Sequence, residues 1–79
     1  MPDKVFSIVS KVFSVSLDSI TNESSPETID SWDSFNGLVL VDELEHAFNV
    51  KFSITEITDV KKIADIKRHL KNHGINLNE

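Results

Sequence analysis

Three segments of this chain repeat apolar residues at the spacing of an α-helix, and this feature constrains the fold more than any other. The first begins just after Asp3, the second runs from about 34 to 48, and the third from about 60 to 73. No stretch alternates apolar and polar residues for long enough to predict a strand. We therefore expect residues 1–79 to form a single all-α domain, a small bundle of three principal helices plus one short helix, with a long first loop.

Polar residues suited to helix ends mark where these segments start and stop. Asp3 is a favoured type of N-cap for the first helix, and Ser34 is another at the start of the second. Asn49 tolerates the left-handed conformation that ends many helices. For the third helix we expect Asp59 as the N-cap and Gly74 as the C-terminal stop.

Two connectors separate the three helices. Residues 16–33 have no helical period and are rich in Ser, Thr, Asp and Asn, which predicts a long loop of a kind that is usually functional or disordered. Its expected anchors in the core are Leu17, Ile20 and Ile29. In the second connector, residues 50–59, Ser53 or Thr55 can cap a short helical turn around 56–59.

The apolar faces of the helices predict the core. In the first helix the face comprises Val5, Phe6, Ile8, Val9, Val12, Phe13 and Val15. In the second it comprises Leu38, Leu40, Val41, Leu44, Ala47 and Phe48, and in the third Val60, Ile63, Ala64, Ile66 and Leu70. Gly37 also falls on the inward side of the second helix, where the missing side chain lets another helix or the loop approach closely.

Two apolar residues of the second helix point away from this core. Phe35 and Val39 lie one turn apart on the outward face, and their neighbours there are Asp42, Glu43 and His46. An exposed apolar pair rimmed by acidic residues is typical of a docking surface. The alternative is that Phe35 folds back over the long loop, and the sequence leaves both open.

The charge distribution argues against nucleic acid as the main partner. The net charge is −5, and eleven of the thirteen acidic residues lie within 1–60, whereas five of the eight basic residues lie within 61–79. Phosphate contacts need clustered cations, and the basic residues here lie on a last helix whose C-terminal end favours cations in any case. The longest apolar run, 37–41, is too short to span a bilayer, and neither a secretory signal nor a cysteine is present. We therefore expect a cytoplasmic protein without a membrane span.

Residue types used in catalysis occur without the arrangement that catalysis needs. His69 and His73 are spaced to share a metal ion, but no third ligand type lies nearby, so a solvated helix end is the preferred interpretation. Asp42, Glu43 and Glu45 are expected to form a solvated face rather than an acid–base pair. With only two glycines the chain has no phosphate-binding loop, and we do not expect an enzyme.

Ser34 combines an ordinary role with a special one. Serine is a common N-cap, so the residue has a structural explanation at the start of the second helix. A phosphate attached to it would also meet the free N–H groups and the positive end of the helix dipole.

The segment Asp33-Ser34-Phe35, followed by an amphipathic helix that ends in Leu44-Glu45-His46-Ala47-Phe48, resembles the phosphopantetheine attachment region of acyl carrier proteins. The family pattern is Asp-Ser-Leu, then apolar helix positions, then Leu-Glu-x-x-Phe at a fixed distance. The interval from Ser34 to Phe48 reproduces that distance, whereas Ser31 is three residues too far away. The resemblance extends over nearly the whole chain and implies an acyl-carrier-like fold.

This resemblance implies that Ser34 carries a covalent 4′-phosphopantetheine arm, taken from coenzyme A by a separate phosphopantetheinyl transferase that uses magnesium. The terminal thiol of the arm would hold an acyl or aminoacyl group as a thioester and deliver it to the enzymes that load and transfer it. The acidic helix would meet basic partner patches in fast, weak encounters, with the carrier itself a monomer. The residues implied in partner recognition are Asp33, Phe35, Val39, Asp42, Glu43 and Glu45.

Two features differ from the common fatty-acid carriers. Phe35-Asn36-Gly37 stands where those carriers have Leu followed by an acidic residue. Trp32-Asp33-Ser34 is more similar to carriers of specialised pathways, including aminoacyl, peptidyl and polyketide-type carriers, so the cargo stays open. The rival hypothesis, from a different class, is an unmodified helical interaction module that docks through the exposed face of the second helix.

Overall fold

The computed structural model describes residues 3–77, and within that range the chain is helical and forms no strand. A 3₁₀ turn, Leu17–Ser19, lies in the first loop. The α-helices of the described range are α1 Lys4–Phe13, α2 Ser34–Phe48, α3 Ile54–Asp59 and α4 Ile63–Asn72. The predicted all-α bundle of three principal helices and one short helix is confirmed.

Helix α1 starts at the predicted cap. The Asp3 carboxylate accepts hydrogen bonds from the backbone N–H groups of Val5 (3.0 Å) and Phe6 (3.2 Å). These bonds satisfy two of the donors that every helix start leaves free. The helix ends before Ser14, which adopts the left-handed conformation (φ 56°), so Val15 at the end of the apolar pattern lies outside it.

The long first loop is anchored in the core, but not by all three expected residues. Ile20 and Ile29 are buried as predicted, whereas Leu17 is 46 % exposed and that prediction is wrong. Leu17 opens the 3₁₀ turn, which runs along the surface with every residue exposed. Trp32, which belongs to no periodic pattern, is buried instead and stacks on Phe13 with the ring centroids 5.2 Å apart.

Helix α4 begins at Ile63, three residues later than predicted, because the first loop supplies its cap. The backbone carbonyls of Ser24 and Asn22 accept hydrogen bonds from the N–H groups of Ile63 (3.0 Å) and Ala64 (2.8 Å). Lys62, which precedes the helix, makes no side-chain cap. The donors of the first turn are thus satisfied by a segment about 40 residues away in sequence.

For the third principal helix, the predicted N-cap is wrong and the predicted C-terminal stop is correct. Asp59 is the last residue of α3 rather than a cap for α4, and its carboxylate binds the side chains of Arg68 and His69. Gly74 is the stop, as expected, with φ 87°. Its N–H and that of Ile75 bond to carbonyls of the last turn, the pattern of a Schellman motif.

Helix α2 has the predicted bounds and ends as expected before Asn49 (φ 55°). Leu40 and Leu44 are buried where α2 packs against α1. Leu38 and Ala47, both expected to face inward, are exposed. Leu38 borders a cavity that no helix fills, so part of the predicted inward face of α2 lacks a packing partner.

The short helix α3 begins at Ile54, two residues earlier than the predicted turn. The Ser53 hydroxyl accepts a hydrogen bond from the Glu56 N–H (3.1 Å), and the Glu56 carboxylate accepts one from the Ser53 N–H (2.9 Å). This reciprocal capping box makes Ser53, rather than Thr55, the cap.

The core is one apolar cluster shared by α1, α2, α4 and the first loop. Of the residues predicted on the third helix, Val60 and Ala64 are only half-buried. No helix in the described range is both long and apolar enough to cross a bilayer. The fully buried members of the cluster include Val5, Val9, Leu40, Leu44, Ile63 and Leu70.

Candidate functional site

Ser34 is the first residue of α2, and its side chain is exposed. The cap is Asp33, whose carboxylate accepts a hydrogen bond from the Asn36 N–H (2.8 Å), so the expectation that Ser34 caps the helix is wrong. The Asp33 carbonyl also accepts the Gly37 N–H (2.7 Å). Because a neighbour makes the cap, the Ser34 hydroxyl has no capping role and lies at the open end of a fifteen-residue helix.

The residues before Ser34 are fixed to the body of the bundle. The Ser31 hydroxyl donates to the Phe13 carbonyl (2.8 Å), and the Asn36 amide donates to the Ser31 carbonyl (2.9 Å). The ring of the next residue, Trp32, is buried and stacks on Phe13. The backbone that presents Ser34 is therefore anchored on both sides, and Ser31 itself is engaged in holding the loop.

A cavity of about 450 Å³ opens beside Ser34. This volume is within the range of small-molecule pockets in proteins, roughly 300–1,000 Å³. One wall follows α2 from Ser34 to Leu44, and the facing walls come from α3, α4 and the end of the first loop. Its apolar lining includes Trp32, Leu38, Leu40, Val41, Leu44, Phe52, Ile57, Val60 and Ile66.

Sequence reasoning did not predict this cavity. Its lining combines residues from α2, the six-residue helix α3, α4 and both connectors, which are far apart in the chain. The signal that was available is Gly37, which lines the cavity and was predicted to allow close approach of the loop. A β-carbon at Gly37 would lie 3.4 Å from Nε1 of Trp32, so the loop does approach there, as expected.

Besides Asp33, two further titratable residues, Glu56 and His69, line the cavity. His69 is buried, which corrects the expectation of a solvated helix end. Its Nε2 lies 3.0 Å from the Asp59 carboxylate, and its Nδ1 lies 3.6 Å from the Glu56 carboxylate. His73 is exposed, and its Nε2 lies 2.9 Å from the same Glu56 carboxylate.

The carboxylates around these histidines are held by hydrogen bonds and ion pairs. Within residues 3–77, no three His, Cys, Asp or Glu side chains are grouped so that they could hold a metal ion. Hydrogen bonds from the Ser53 N–H and then from His73 lower the pKa of Glu56. Those from Arg68 and then His69 lower the pKa of Asp59. The cluster is thus a set of ionised carboxylates paired with basic side chains of α4 and the residue that follows it.

The outward face of α2 carries the predicted apolar pair. Phe35 is 73 % exposed and Val39 is 36 % exposed, so Phe35 does not fold back over the loop. Leu38, at 60 %, adds a third apolar side chain between this pair and the cavity. The exposed face of α2 near Ser34 is therefore more apolar than the sequence predicts.

The three acidic residues of α2 lie in different surroundings. Asp42 is exposed, and Glu43 is half-buried with its carboxylate 3.5 Å from the Lys11 ammonium. The ring of His46 lies 2.8 Å from the Asp42 carbonyl, and that carbonyl, followed by the Asp42 carboxylate, raises the pKa of His46. The acidic character of this face is concentrated at Asp42 and partly offset by its neighbours.

Glu45 has a structural contact that the other two acidic residues lack. Its carboxylate accepts a hydrogen bond from the Phe52 N–H (2.7 Å) and lies 3.9 Å from the Lys51 ammonium. Its side chain is only 16 % exposed. Glu45 thus holds the second connector against α2, and its part in partner recognition stays a prediction.

The chain was compared with protein-family models and with curated proteins. No protein-family model matches the chain, and no curated protein matches it either. The functional argument therefore rests on the site residues and their geometry.

Proposed function

We propose that the chain is an acyl carrier protein that holds its cargo on a 4′-phosphopantetheine arm attached to Ser34. The observation that carries this proposal is the position of the Ser34 hydroxyl. It is exposed at the first residue of α2, relieved of capping by Asp33, and at the edge of a largely apolar cavity. The thiol of the arm would supply the thioester chemistry, which the side chains of a chain without cysteine cannot supply.

The start of α2 is suited to a phosphate on Ser34. Asp33 uses the N–H groups of Asn36 and Gly37, and the N–H groups of Ser34 and Phe35 remain in the first turn. Such N–H groups and the positive end of the helix dipole stabilise an attached phosphate. The anchored Ser31 and Trp32 hold the attachment point in a constant orientation for an incoming transferase.

The cavity supports a cargo role over a purely structural one. An acyl chain on an arm attached to Ser34 has an apolar space of about 450 Å³ beside the residue that bears the arm. Burial there removes the chain from water, at roughly 25 cal/mol for each Å² of apolar surface. The carrier would then protect its thioester until a partner enzyme draws the cargo out.

Partner recognition would use the exposed face of α2. Phe35 and Val39 offer apolar contact next to the arm, and Asp42 supplies negative charge one turn further along. Apolar contact beside screened surface charge gives fast and exchangeable association. A monomer that works in the cytoplasm, as the sequence predicts, is in keeping with such a shuttle.

Intact-mass measurement tests the proposal. The protein is incubated with coenzyme A, magnesium and a broad-specificity phosphopantetheinyl transferase, alongside Ser34→Ala and Ser31→Ala. We expect one phosphopantetheine on the wild type and on Ser31→Ala, and none on Ser34→Ala. Modification at Ser31, or no modification with a transferase that modifies a known carrier in parallel, would contradict the carrier function.

One observation favours a second candidate function. The three exposed apolar residues Phe35, Leu38 and Val39 suffice for a protein-docking patch without any modification of Ser34. An unmodified interaction module would bind its partner equally well before and after transferase treatment, and Ser34→Ala would not change that binding. A carrier would lose its cargo transfer with the same substitution.

A further inference from the structure

Two Asp-Ser dipeptides lie three residues apart at the start of α2, and their serines are held differently. In Asp30-Ser31, the serine hydroxyl donates to the Phe13 carbonyl (2.8 Å). In Asp33-Ser34, the serine hydroxyl is exposed, and the aspartate caps the helix in its place. The Ser34 side chain is therefore accessible, and its position depends on the backbone that bears it.

Transfer of the arm requires the Ser34 hydroxyl in a defined position. Its Oγ forms a bond to the phosphorus of coenzyme A that bears the pantetheine group. The diphosphate bond breaks, adenosine 3′,5′-bisphosphate leaves, and the hydroxyl proton passes to a base of the transferase. Such a step is fast only when the attacking atom is held about 3–3.5 Å from the atom it attacks, in the correct orientation.

Asn36, two residues after Ser34, connects the segment before the serine to the first turn of α2. Its side-chain amide donates to the Ser31 carbonyl (2.9 Å), and its backbone N–H donates to the Asp33 carboxylate (2.8 Å). The Ser31 carbonyl also accepts the Asp33 N–H (3.1 Å). A single residue thus closes two hydrogen bonds across the serine, one through its side chain and one through its backbone.

The bond from the Asn36 side chain depends on a carboxamide. A carbonyl oxygen only accepts, so the atom that faces it must be the amide nitrogen. An ionised aspartate has the same shape but no donor, and leucine has a similar size but no polar atom. Asn36 is half-buried, and the next residue, Gly37, lies against the Trp32 ring, so water competes less for this bond than at an open surface.

We propose that Asn36 is a positioning residue for transfer of the arm. Its side-chain amide fixes the backbone on both sides of Ser34 and so presents Oγ to the transferase in one orientation. Without this bond, residues 31–33 would have to become ordered during the reaction, which slows the step. This inference rests on the proposed attachment of the arm to Ser34.

Single-turnover modification, with the transferase in excess and coenzyme A saturating, measures the effect. Asn36→Leu removes the side-chain donor without adding charge, and Asn36→Asp removes it while adding a negative charge. We expect both variants to lower the rate at saturating transferase by about three- to tenfold, the effect of one hydrogen bond. In Asn36→Leu, the transferase concentration at half-saturation should change by less than about twofold, since only the step after binding is affected.

Asn72→Leu and Asn72→Asp are the matched controls, at the exposed last residue of α4, and should keep the wild-type rate. Absence of modification in the wild type overturns the proposed function, and this inference with it. With the wild type modified, an unchanged saturated rate in Asn36→Leu overturns the inference alone. A loss confined to Asn36→Asp also overturns it, because the added charge would then be the cause.

Backbone ¹⁵N relaxation of the unaltered protein gives a readout that does not depend on a variant that folds. Asp33 and Ser34 should be as rigid as Leu40 in the middle of α2, with order parameters of about 0.85. Order parameters below about 0.6 would contradict the inference, because the bond from Asn36 would then not hold the serine. Circular dichroism verifies that each variant is folded before its rate is measured.

Discussion

The indole ring of Trp32 lies against the backbone of Gly37, so that a β-carbon at residue 37 would be 3.4 Å from Nε1 and 3.6 Å from Cδ1 of the ring. These separations correspond to ordinary van der Waals contact at its tight limit. The contact connects the last buried residue of the first loop to the first turn of α2, where Ser34 lies. The conformation of the attachment site therefore depends on the size of the side chain at residue 37, which limits how closely Trp32 can approach α2.

Gly37→Ala should stabilise the protein by up to about 1 kcal/mol, because alanine is the better helix former by that amount and its methyl group fits beside Trp32. Gly37→Leu should destabilise it, since the longer side chain must displace the indole or fill the cavity. Urea unfolding of both variants gives the comparison. If Gly37→Leu raised the free energy of unfolding as much as Gly37→Ala, the indole would have to move aside without cost. That result would contradict the packing of Trp32 on Phe13.

Phe35→Ala should change the free energy of unfolding by no more than about 0.5 kcal/mol, because the ring is 73 % exposed. Leu44→Ala, at a position only 1 % exposed, should cost about 2–5 kcal/mol. Phe35→Ala should instead slow modification by the transferase. Thermal unfolding and modification rates measured on both variants separate the two effects, and equal thermal destabilisation would show that Phe35 supports the fold.

Association with the transferase should weaken as salt rises, because exposed charges are screened over about 8–10 Å near physiological ionic strength. Asp42→Asn with Glu43→Gln should slow association and flatten this salt dependence. Folding should change little, since Asp42 is exposed and the Glu43 pair with Lys11 is a surface contact worth about 0–1 kcal/mol. Stopped-flow association rates at several salt concentrations give the measurement.

The matched control neutralises the basic side of the molecule. Lys61→Gln with Lys71→Gln removes two exposed cations from the end of the chain that includes α4. Lys67 is not used, because its side chain is buried beside Asp3. Slower association in the lysine variant alone would assign recognition to the basic segment 61–71 and contradict the assignment to α2.

Stability should fall as the pH drops below about 5, partly through Asp3. Burial alone would raise the pKa of Asp3, but hydrogen bonds from Lys67 and the N–H groups of the first turn outweigh it and lower the pKa. The unfolded chain therefore binds the proton more readily, and the contribution of Asp3 is lost as the pH falls through its folded-state pKa. Asp3→Asn keeps a capping oxygen but removes the charge opposite Lys67, so it should cost about 1–3 kcal/mol at neutral pH.

Melting temperatures of the wild type and of Asp3→Asn, measured across the acid range, test the role of the Asp3 charge. The loss on acidification should be smaller in Asp3→Asn than in the wild type. Glu23→Gln, which removes an exposed partner of Lys62, is the control and should shift stability by no more than about 1 kcal/mol. Parallel pH profiles for the wild type and Asp3→Asn would contradict a role for the Asp3 charge.

The local signals in the sequence were sufficient for the ends of α2 and for the cap of α1. Asp3 and Asn49 act within their own helix turns, so their effect is readable from neighbouring residues alone. The sequence correctly predicts that α2 begins at Ser34, but the prediction that Ser34 is the cap is wrong. Asp33 and Ser34 are adjacent, and both residue types are good caps. Only the hydrogen bond that the Asn36 N–H donates to the Asp33 carboxylate distinguishes them.

The features that sequence reasoning missed depend on residues far apart in the chain. Leu38 was placed in the core because its helix face is apolar, but it is 60 % exposed at the border of the cavity. His69 was assigned to solvent because imidazole is polar, yet Asp59 and Glu56 make its burial possible. Both residues line the cavity, and neither the exposure of Leu38 nor the burial of His69 has a periodic signature.

The capping of α4 by the carbonyls of Asn22 and Ser24 has a consequence for how the chain folds. The first turn of α4 cannot complete its hydrogen bonds until the first loop has closed onto it, so α4 is a poor candidate for an early nucleus. The same two hydrogen bonds fix the first loop, so the loop gains them only when α4 is in place. Amide exchange at Ile63 and Ala64 would therefore report the opening of the loop, more directly than exchange within the loop itself.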